Sequence, residues 1–309
     1  MEDLILLTGR DPAALAHAAE QACGETIPWV VPDDARAASA TVWFASSAPP
    51  ATPLDLPSLR WIHSAWAGVD RWIARPEWRE GVILTRTVAN FPERMAEYVL
   101  GYLLATVLDV PRARRQQAEG AWARWLPGTL QGKTMLIVGY GAIGTQVAAV
   151  ARSLGLAVLG VRRGPVSERE IAAGIESVEA LPRLLPRADV VVNLLPLTPE
   201  TESFWTADRF ALLPPGVIFV NASRGRCVDD ATLLAALDQG RPASAILDVF
   251  SREPLPPDHP FWKNSNVWIT PHVAGLGTEE SEGRAFGENW RRWREGKPLR
   301  YVVERLRGY

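Results

Sequence analysis

A strand, a glycine loop and a helix in immediate succession constrain this chain most. Met135-Leu136-Ile137-Val138 is a short aliphatic run, and Gly139-Tyr140-Gly141-Ala142-Ile143-Gly144 follows it directly. Ile143, Val147, Val150 and Leu154 then recur at helical spacing. Gly139 permits a tight turn, Gly141 lets backbone approach a diphosphate, and Gly144 lets the helix pack closely on the strand. The helix N-terminus offers unpaired N–H groups and a positive dipole end to phosphate. With a second strand at Ala157-Val161, the segment predicts dinucleotide binding by Gly139, Gly141, Ala142, Ile143 and Gly144.

The end of that second strand selects between cofactors. An NAD site usually places a carboxylate there, about 20 residues after the loop, to bond the ribose 2′-hydroxyl. Here the chain reads Val161-Arg162-Arg163. Two guanidiniums suit a 2′-phosphate through charge-assisted, bidentate bonds, so NADPH is expected over NADH.

Short strands alternate with helices on both sides of this unit. Leu4-Leu7, Thr41-Ala45, Arg60-His63 and Val82-Thr85 read as strands in the first third. Asp11 caps a helix with Pro12 at its first position. Pro92 to Glu119 reads as one long helical segment, breakable at Pro111, that carries the chain into the next domain. Thr134-Val138, Ala157-Val161, Val190-Leu194, Val217-Asn221, Ala245-Val249 and Val267-Thr270 read as six buried parallel strands. A helix over Asp230 to Gln239 ends at Gly240, and a last helix over Thr278 to Glu295 is free to return to the first domain. The expected fold class is α/β: two Rossmann-like or flavodoxin-like doubly wound parallel-sheet domains, the first discontinuous in sequence. Residues 1–97 plus 277–309 would form one domain and 98–276 the other.

Three consecutive strand ends of the second domain carry polar groups. Asn221-Ala222-Ser223-Arg224-Gly225, Asp248-Val249-Phe250-Ser251-Arg252-Glu253-Pro254 and Thr270-Pro271-His272 each follow a strand. The carboxyl edge of such a sheet is where ligands bind. Arg224 can hold a substrate carboxylate and polarise a carbonyl, His272 can pass a proton to the carbonyl oxygen, and Glu253 can favour the imidazolium and fix its tautomer. Together they fit hydride chemistry on a small keto or hydroxy acid. His17, His63 and His259 have no such setting, and Cys227 reads as a buried small hydrophobe.

Composition excludes other classes. Lys plus Arg is 33 against 35 for Asp plus Glu, a net charge of -2, so neither a nucleic-acid partner nor an acidic tail is expected. Cys23 and Cys227 are far apart with no CxxC partner, so neither a zinc site nor a structural disulfide is expected, which suits a reducing cytoplasm. No basic, apolar leader opens the chain and no run is long enough to span a bilayer, so a cytoplasmic protein without membrane contact is expected. No metal site is expected.

These motifs stand in the order found in the D-isomer-specific 2-hydroxyacid dehydrogenases, and the chain resembles that family over essentially its whole length. Thr270-Pro271-His272-Val273-Ala274-Gly275 is one such motif. Met95-Ala96-Glu97-Tyr98, His259-Pro260-Phe261-Trp262 and the Arg307-Gly308-Tyr309 terminus make it most similar to the glyoxylate/hydroxypyruvate reductase A branch. The resemblance implies a dimer with substrate held between domains, and catalytic roles for Arg224, Glu253 and His272. It further implies that the Ala67-Gly68-Val69 turn offers N–H groups to the substrate carboxylate and that Asp248 holds the nicotinamide carboxamide. Trp43, at the end of an N-terminal strand, either lines the substrate pocket or fills the core. One departure bears on substrate: Val88-Ala89-Asn90-Phe91-Pro92-Glu93-Arg94 stands where many relatives carry Asn-x-x-Gly.

The reaction so implied is NADPH-dependent reduction of glyoxylate to glycolate and of hydroxypyruvate to D-glycerate. A bulkier 2-keto acid, given the tryptophans, and a non-catalytic NAD(P)H-sensing protein are the alternatives. A hydrolase of adenosyl thioethers on the same cofactor fold would require a longer chain and different catalytic residues.

Overall fold

A computed structural model describes residues 3–73, 75–88 and 91–304. The chain divides into two compact units, Met1–Phe91 with Gly277–Tyr309, and Pro92–Leu276. The division falls where the long helix begins, a few residues before the position read from sequence.

The first unit is built from β1 (Ile5–Thr8), α1 (Pro12–Cys23), β2 (Trp29–Val30), β3 (Val42–Ala45), β4 (Trp61–Ser64), α2 (Asp70–Ile73) and β5 (Ile83–Arg86). Its five strands are all parallel, in the order β2-β1-β3-β4-β5. That is the flavodoxin-like order. Asp11 caps α1 by accepting from the Ala14 N–H at 3.0 Å, with Pro12 next to it.

The second unit opens with α3 (Phe91–Val107) and α4 (Val110–Glu119). The break lies at Asp109 rather than Pro111: Asp109 takes φ 54° and its carboxylate caps the Arg112 N–H, so the turn is made before the proline enters the new helix. Next come β6 (Thr134–Val138), α5 (Ala142–Ser153), β7 (Ala157–Arg162), α6 (Glu168–Ala172), β8 (Ile175–Ser177), α7 (Leu181–Leu184) and β9 (Val190–Asn193). After them stand α8 (Ala207–Ala211), β10 (Ile218–Asn221), α9 (Asp230–Asp238), β11 (Ser244–Leu247) and β12 (Val267–Ile269). The seven strands are parallel in the order β12-β11-β10-β9-β6-β7-β8. The order reverses between β6 and β9, which is the topological switch point where such sheets take ligands. One strand more than the six expected is present, because β8 completes the edge beside β7.

Chain order is broken once more by α10 (Glu279–Arg294), which returns to α1 of the first unit. Thr278 caps it, Glu279, Glu280 and Glu282 stand in its first turn, and Arg291, Arg292 and Arg294 in its last, so charge follows the helix dipole at both ends. Gly283 and Gly287 allow the contact. A Cβ on Gly283 would lie 2.5 Å from the Leu15 carbonyl, and one on Gly287 2.3 Å from that of Ala19. The approach inserts Phe286 against Phe44, with ring centroids 4.4 Å apart, and buries Trp290 completely.

Candidate active site

The glycine loop stands at the switch point of the second sheet. Gly139 has φ 98°, and a Cβ there would meet the Leu194 carbonyl carbon at 2.7 Å, so backbone from the end of β9 lies directly against the turn. A Cβ on Gly144 would meet the Ile137 side chain at 3.1 Å, which is the helix–strand contact its spacing predicts. Gly141 differs from both: among the described residues, nothing beyond its chain neighbours lies within 4 Å of the position of its absent Cβ. An open cradle at Gly141, bounded by the N-terminus of α5 at Ala142 and Ile143, fits the diphosphate of a dinucleotide.

At the end of β7 the structure supplies what the local sequence lacks. Arg162 is paired through Nη1 with Glu170 Oε1 at 2.9 Å, and Arg163 lies 3.8 Å from Glu200. Glu170 also accepts from the N–H (2.9 Å) and the hydroxyl (2.7 Å) of Ser167, closing a capping box on α6. These bonds, the Ser167 pair first, hold its carboxyl below the usual carboxylate range.

The three strand ends carry the expected polar groups, each positioned by its own loop. His272 Nδ1 lies 2.9 Å from Glu253 Oε2. His272 adopts φ 55°, a left-handed conformation costly for a residue with a side chain. Its N–H donates to the Asp248 carbonyl at 2.9 Å, which helps hold it there. The Asp248 carboxylate does the rest: Oδ1 accepts from the Thr270 hydroxyl (2.6 Å) and the Val273 N–H (2.8 Å), and Oδ2 from the Ala274 N–H (2.9 Å). Three of roughly four lone-pair positions on this buried carboxylate are therefore used inside the loop. Tyr98 of α3 adds a hydroxyl contact to Thr270 at 2.7 Å.

Arg224 follows a buried network at the end of β10. Asn193 donates to Asn221 (3.0 Å) and to Ser223 (2.7 Å), and the Arg224 guanidinium donates to the Ser223 carbonyl at 2.7 Å. Gly225 then passes so close to the β11 loop that a Cβ would sit 1.8 Å from the Phe250 carbonyl carbon. Phe250 in turn donates its N–H to Glu253 Oε1 at 3.2 Å. The Arg224 and Glu253 loops are thus in direct backbone contact. Burial pushes the nearby Cys227 thiol up to about 11, leaving it protonated and unreactive as its sequence setting implied.

In the first unit, Ala67, Gly68 and Val69 follow β4. The Arg86 guanidinium, at the end of β5, donates to the Ala67 carbonyl at 3.0 Å. Arg86 is half-buried and forms no ion pair among the described residues, and burial lowers its pKa from the ordinary arginine value. Of the two readings of Trp43 the pocket one is corrected: the side chain has no exposed surface, donates to the Thr8 hydroxyl at 3.0 Å and packs edge-on against Trp72, so it fills the core. His63 is buried between the Thr85 and Thr87 hydroxyls. Ala89 and Asn90 of the departing segment, and the Arg307-Gly308-Tyr309 terminus, lie outside the described residues.

A doubly wound parallel sheet with a dinucleotide cradle at its switch point and an Arg, Glu and His at its carboxyl edge defines an NAD(P)-binding oxidoreductase. Residues 100–274 match the D-isomer specific 2-hydroxyacid dehydrogenase NAD binding domain, and the chain belongs to that family. It is 31% identical to glyoxylate/hydroxypyruvate reductase A of Serratia proteamaculans, over 91% of this chain and 90% of that one. It is 33% identical to D-3-phosphoglycerate dehydrogenase of Archaeoglobus fulgidus, over 80% of this chain but only 47% of that longer protein. Among solved structures, a D-isomer specific 2-hydroxyacid dehydrogenase from Xanthobacter autotrophicus in complex with NADPH and MES superposes with a TM-score of 0.86 at 32% identity, over 99% of both chains. No described helix is long and apolar enough to cross a membrane.

Proposed function

We propose that this chain is an NADPH-dependent reductase of small 2-keto acids, with glyoxylate and hydroxypyruvate as substrates. The observation that carries the reading is the His272–Glu253 pair, at 2.9 Å, on a loop locked by Asp248 at the ligand-binding edge of the sheet. With Nδ1 committed to Glu253, Nε2 is the atom left to exchange a proton. A bound nicotinamide supplies the hydride to the carbonyl carbon. As the carbonyl π pair moves onto oxygen, His272 releases its Nε2 proton there and is left neutral; in oxidation it takes the proton back. Arg224 binds the substrate carboxylate and draws charge toward the reacting oxygen. The N–H groups of Ala67, Gly68 and Val69 are assigned to a substrate carboxylate, and Arg86 holds that turn in place. Asp248 has one lone-pair position left for the nicotinamide carboxamide. Arg162 and Arg163 meet the 2′-phosphate.

The working unit is a homodimer in the cytoplasm. Trp122 and Leu126 are 92% and 95% exposed on the segment after α4, and a second copy of the chain would cover them. The similarity to glyoxylate/hydroxypyruvate reductase A supports the choice of substrate.

The test is loss of reduced-nicotinamide absorbance with glyoxylate, hydroxypyruvate, pyruvate and phenylpyruvate, each with NADPH and with NADH. Fast turnover of either of the first two with NADPH is expected. Turnover of phenylpyruvate alone would move the substrate assignment to bulkier acids. Tight cofactor binding without turnover on any of them would favour the sensing protein.

A further inference from the structure

The two arginines at the end of β7 do not face solvent with their charges unanswered. Arg162 donates to Glu170 at 2.9 Å and Arg163 lies 3.8 Å from Glu200, so two carboxylates balance two guanidiniums. Of the two acids, Glu170 is the better anchored. Ser167 gives it two further hydrogen bonds, so it is held by the fold of α6 as well as by the arginine. Chemically, a carboxylate on a guanidinium occupies the same kind of bonding edge that a phosphate oxygen would. It is also an acceptor of the type that takes a ribose 2′-hydroxyl in NAD sites.

We propose that Glu170 is a specificity-determining residue for the cofactor: its carboxylate competes with a 2′-phosphate for Arg162 and so narrows the preference for NADPH over NADH. The inference rests on the assignment of Arg162 to the 2′-phosphate made above. A phosphate brings negative charge toward Glu170 and must share or displace its bond to Arg162. A 2′-hydroxyl leaves the pair intact and can donate to it. Both side chains are partly exposed, at 40% and 32%, so the pair is a weak one and yields at modest cost.

Glu170→Gln separates charge from structure, because glutamine also closes a Ser-x-x-Gln capping box and keeps α6 in place. Calorimetric titration of the purified protein with 2′,5′-ADP and with 5′-AMP reads the adenosine end of the site without turnover. In the Glu170→Gln variant 2′,5′-ADP should bind about fivefold tighter, the scale of one exposed ion pair, while 5′-AMP changes little. Unchanged or weaker 2′,5′-ADP binding in this variant would overturn the inference, provided that Arg162→Gln weakens 2′,5′-ADP selectively. If Arg162→Gln leaves the 2′,5′-ADP to 5′-AMP ratio at the wild-type value, the 2′-phosphate assignment falls and the role of Glu170 falls with it.

Discussion

His272 and Glu253 stand on the loops after two adjacent strands, β12 and β11, and meet through Nδ1 and Oε2 at 2.9 Å. The contact orients the ring as well as pairing it, since one nitrogen is fixed and the other is presented. Replacing His272 by Ala should lower kcat by about 100-fold to 10,000-fold, the range of positioned proton transfer, with dinucleotide affinity nearly unchanged. Glu253→Gln keeps a hydrogen-bonding group but removes the charge. Its loss in kcat should be smaller than that of His272→Ala. Normal turnover by the His272→Ala variant would remove the histidine from the mechanism.

Arg86 reaches the carbonyl of Ala67 from the neighbouring strand, so it shapes the turn assigned to the substrate carboxylate. Arg86→Gln should raise KM for the keto acid about tenfold or more, the scale of a lost hydrogen bond to a charged group, and leave kcat within about threefold. Arg86→Lys should recover part of the loss. A fall in kcat with KM unchanged would show that the guanidinium acts in the chemical step instead.

The glycine loop offers a contrast between two neighbours. Gly139→Ala forces a methyl into the Leu194 backbone at a positive φ, and the second unit should lose about 1–3 kcal/mol of stability, measured by urea unfolding. Gly141→Ala meets no described residue beyond its chain neighbours within 4 Å, so stability should hold while dinucleotide binding fails. If both variants unfold alike, the open space at Gly141 is not a ligand cradle.

His63 links pH to the stability of the first unit. Burial among Phe44, Trp61 and Phe286 depresses its pKa from 6.5 to about 3. Below 6.5 the unfolded chain takes up a proton that the native state refuses, so this contribution is fully present above pH 6.5 and is lost as pH falls toward 3. Its slope is at most about 1.4 kcal/mol per pH unit. His63→Gln should flatten the acid limb of a stability–pH curve by about one proton, and an unchanged limb would assign the acid sensitivity to other groups.

If Trp122 and Leu126 are covered by a second copy of the chain, changing both to Ser should convert a dimer to a monomer in sedimentation. A wild-type monomer would leave their exposure without that explanation.

Long or strongly marked features were readable in the sequence. The aliphatic strands of the second sheet, the Asp11 cap and the return of the last helix all rest on local pattern. Two strands were missed, Trp29–Val30 and Ile175–Ser177, because strands of two or three residues exist only through pairing with a neighbour. The Arg162–Glu170 pair was hidden for a related reason. The sequence shows no acid beside the arginines, and only the turn into α6 brings one back. Its local signal was Ser167-x-x-Glu170, a capping box, which places Glu170 on the first turn of a helix just after the strand. Arg86 carried no signal, since its contact with Ala67 depends on which strands lie side by side.

The close seating of Gly283 and Gly287 on α1 also sets an order of assembly. The five strands of the first unit leave the ribosome early, but the helix that covers Phe44 and Trp61 is made only after all of Pro92–Leu276. During synthesis an aromatic face waits uncovered while an entire second sheet is being completed. The continuous unit is therefore free to mature first, and the discontinuous one closes last.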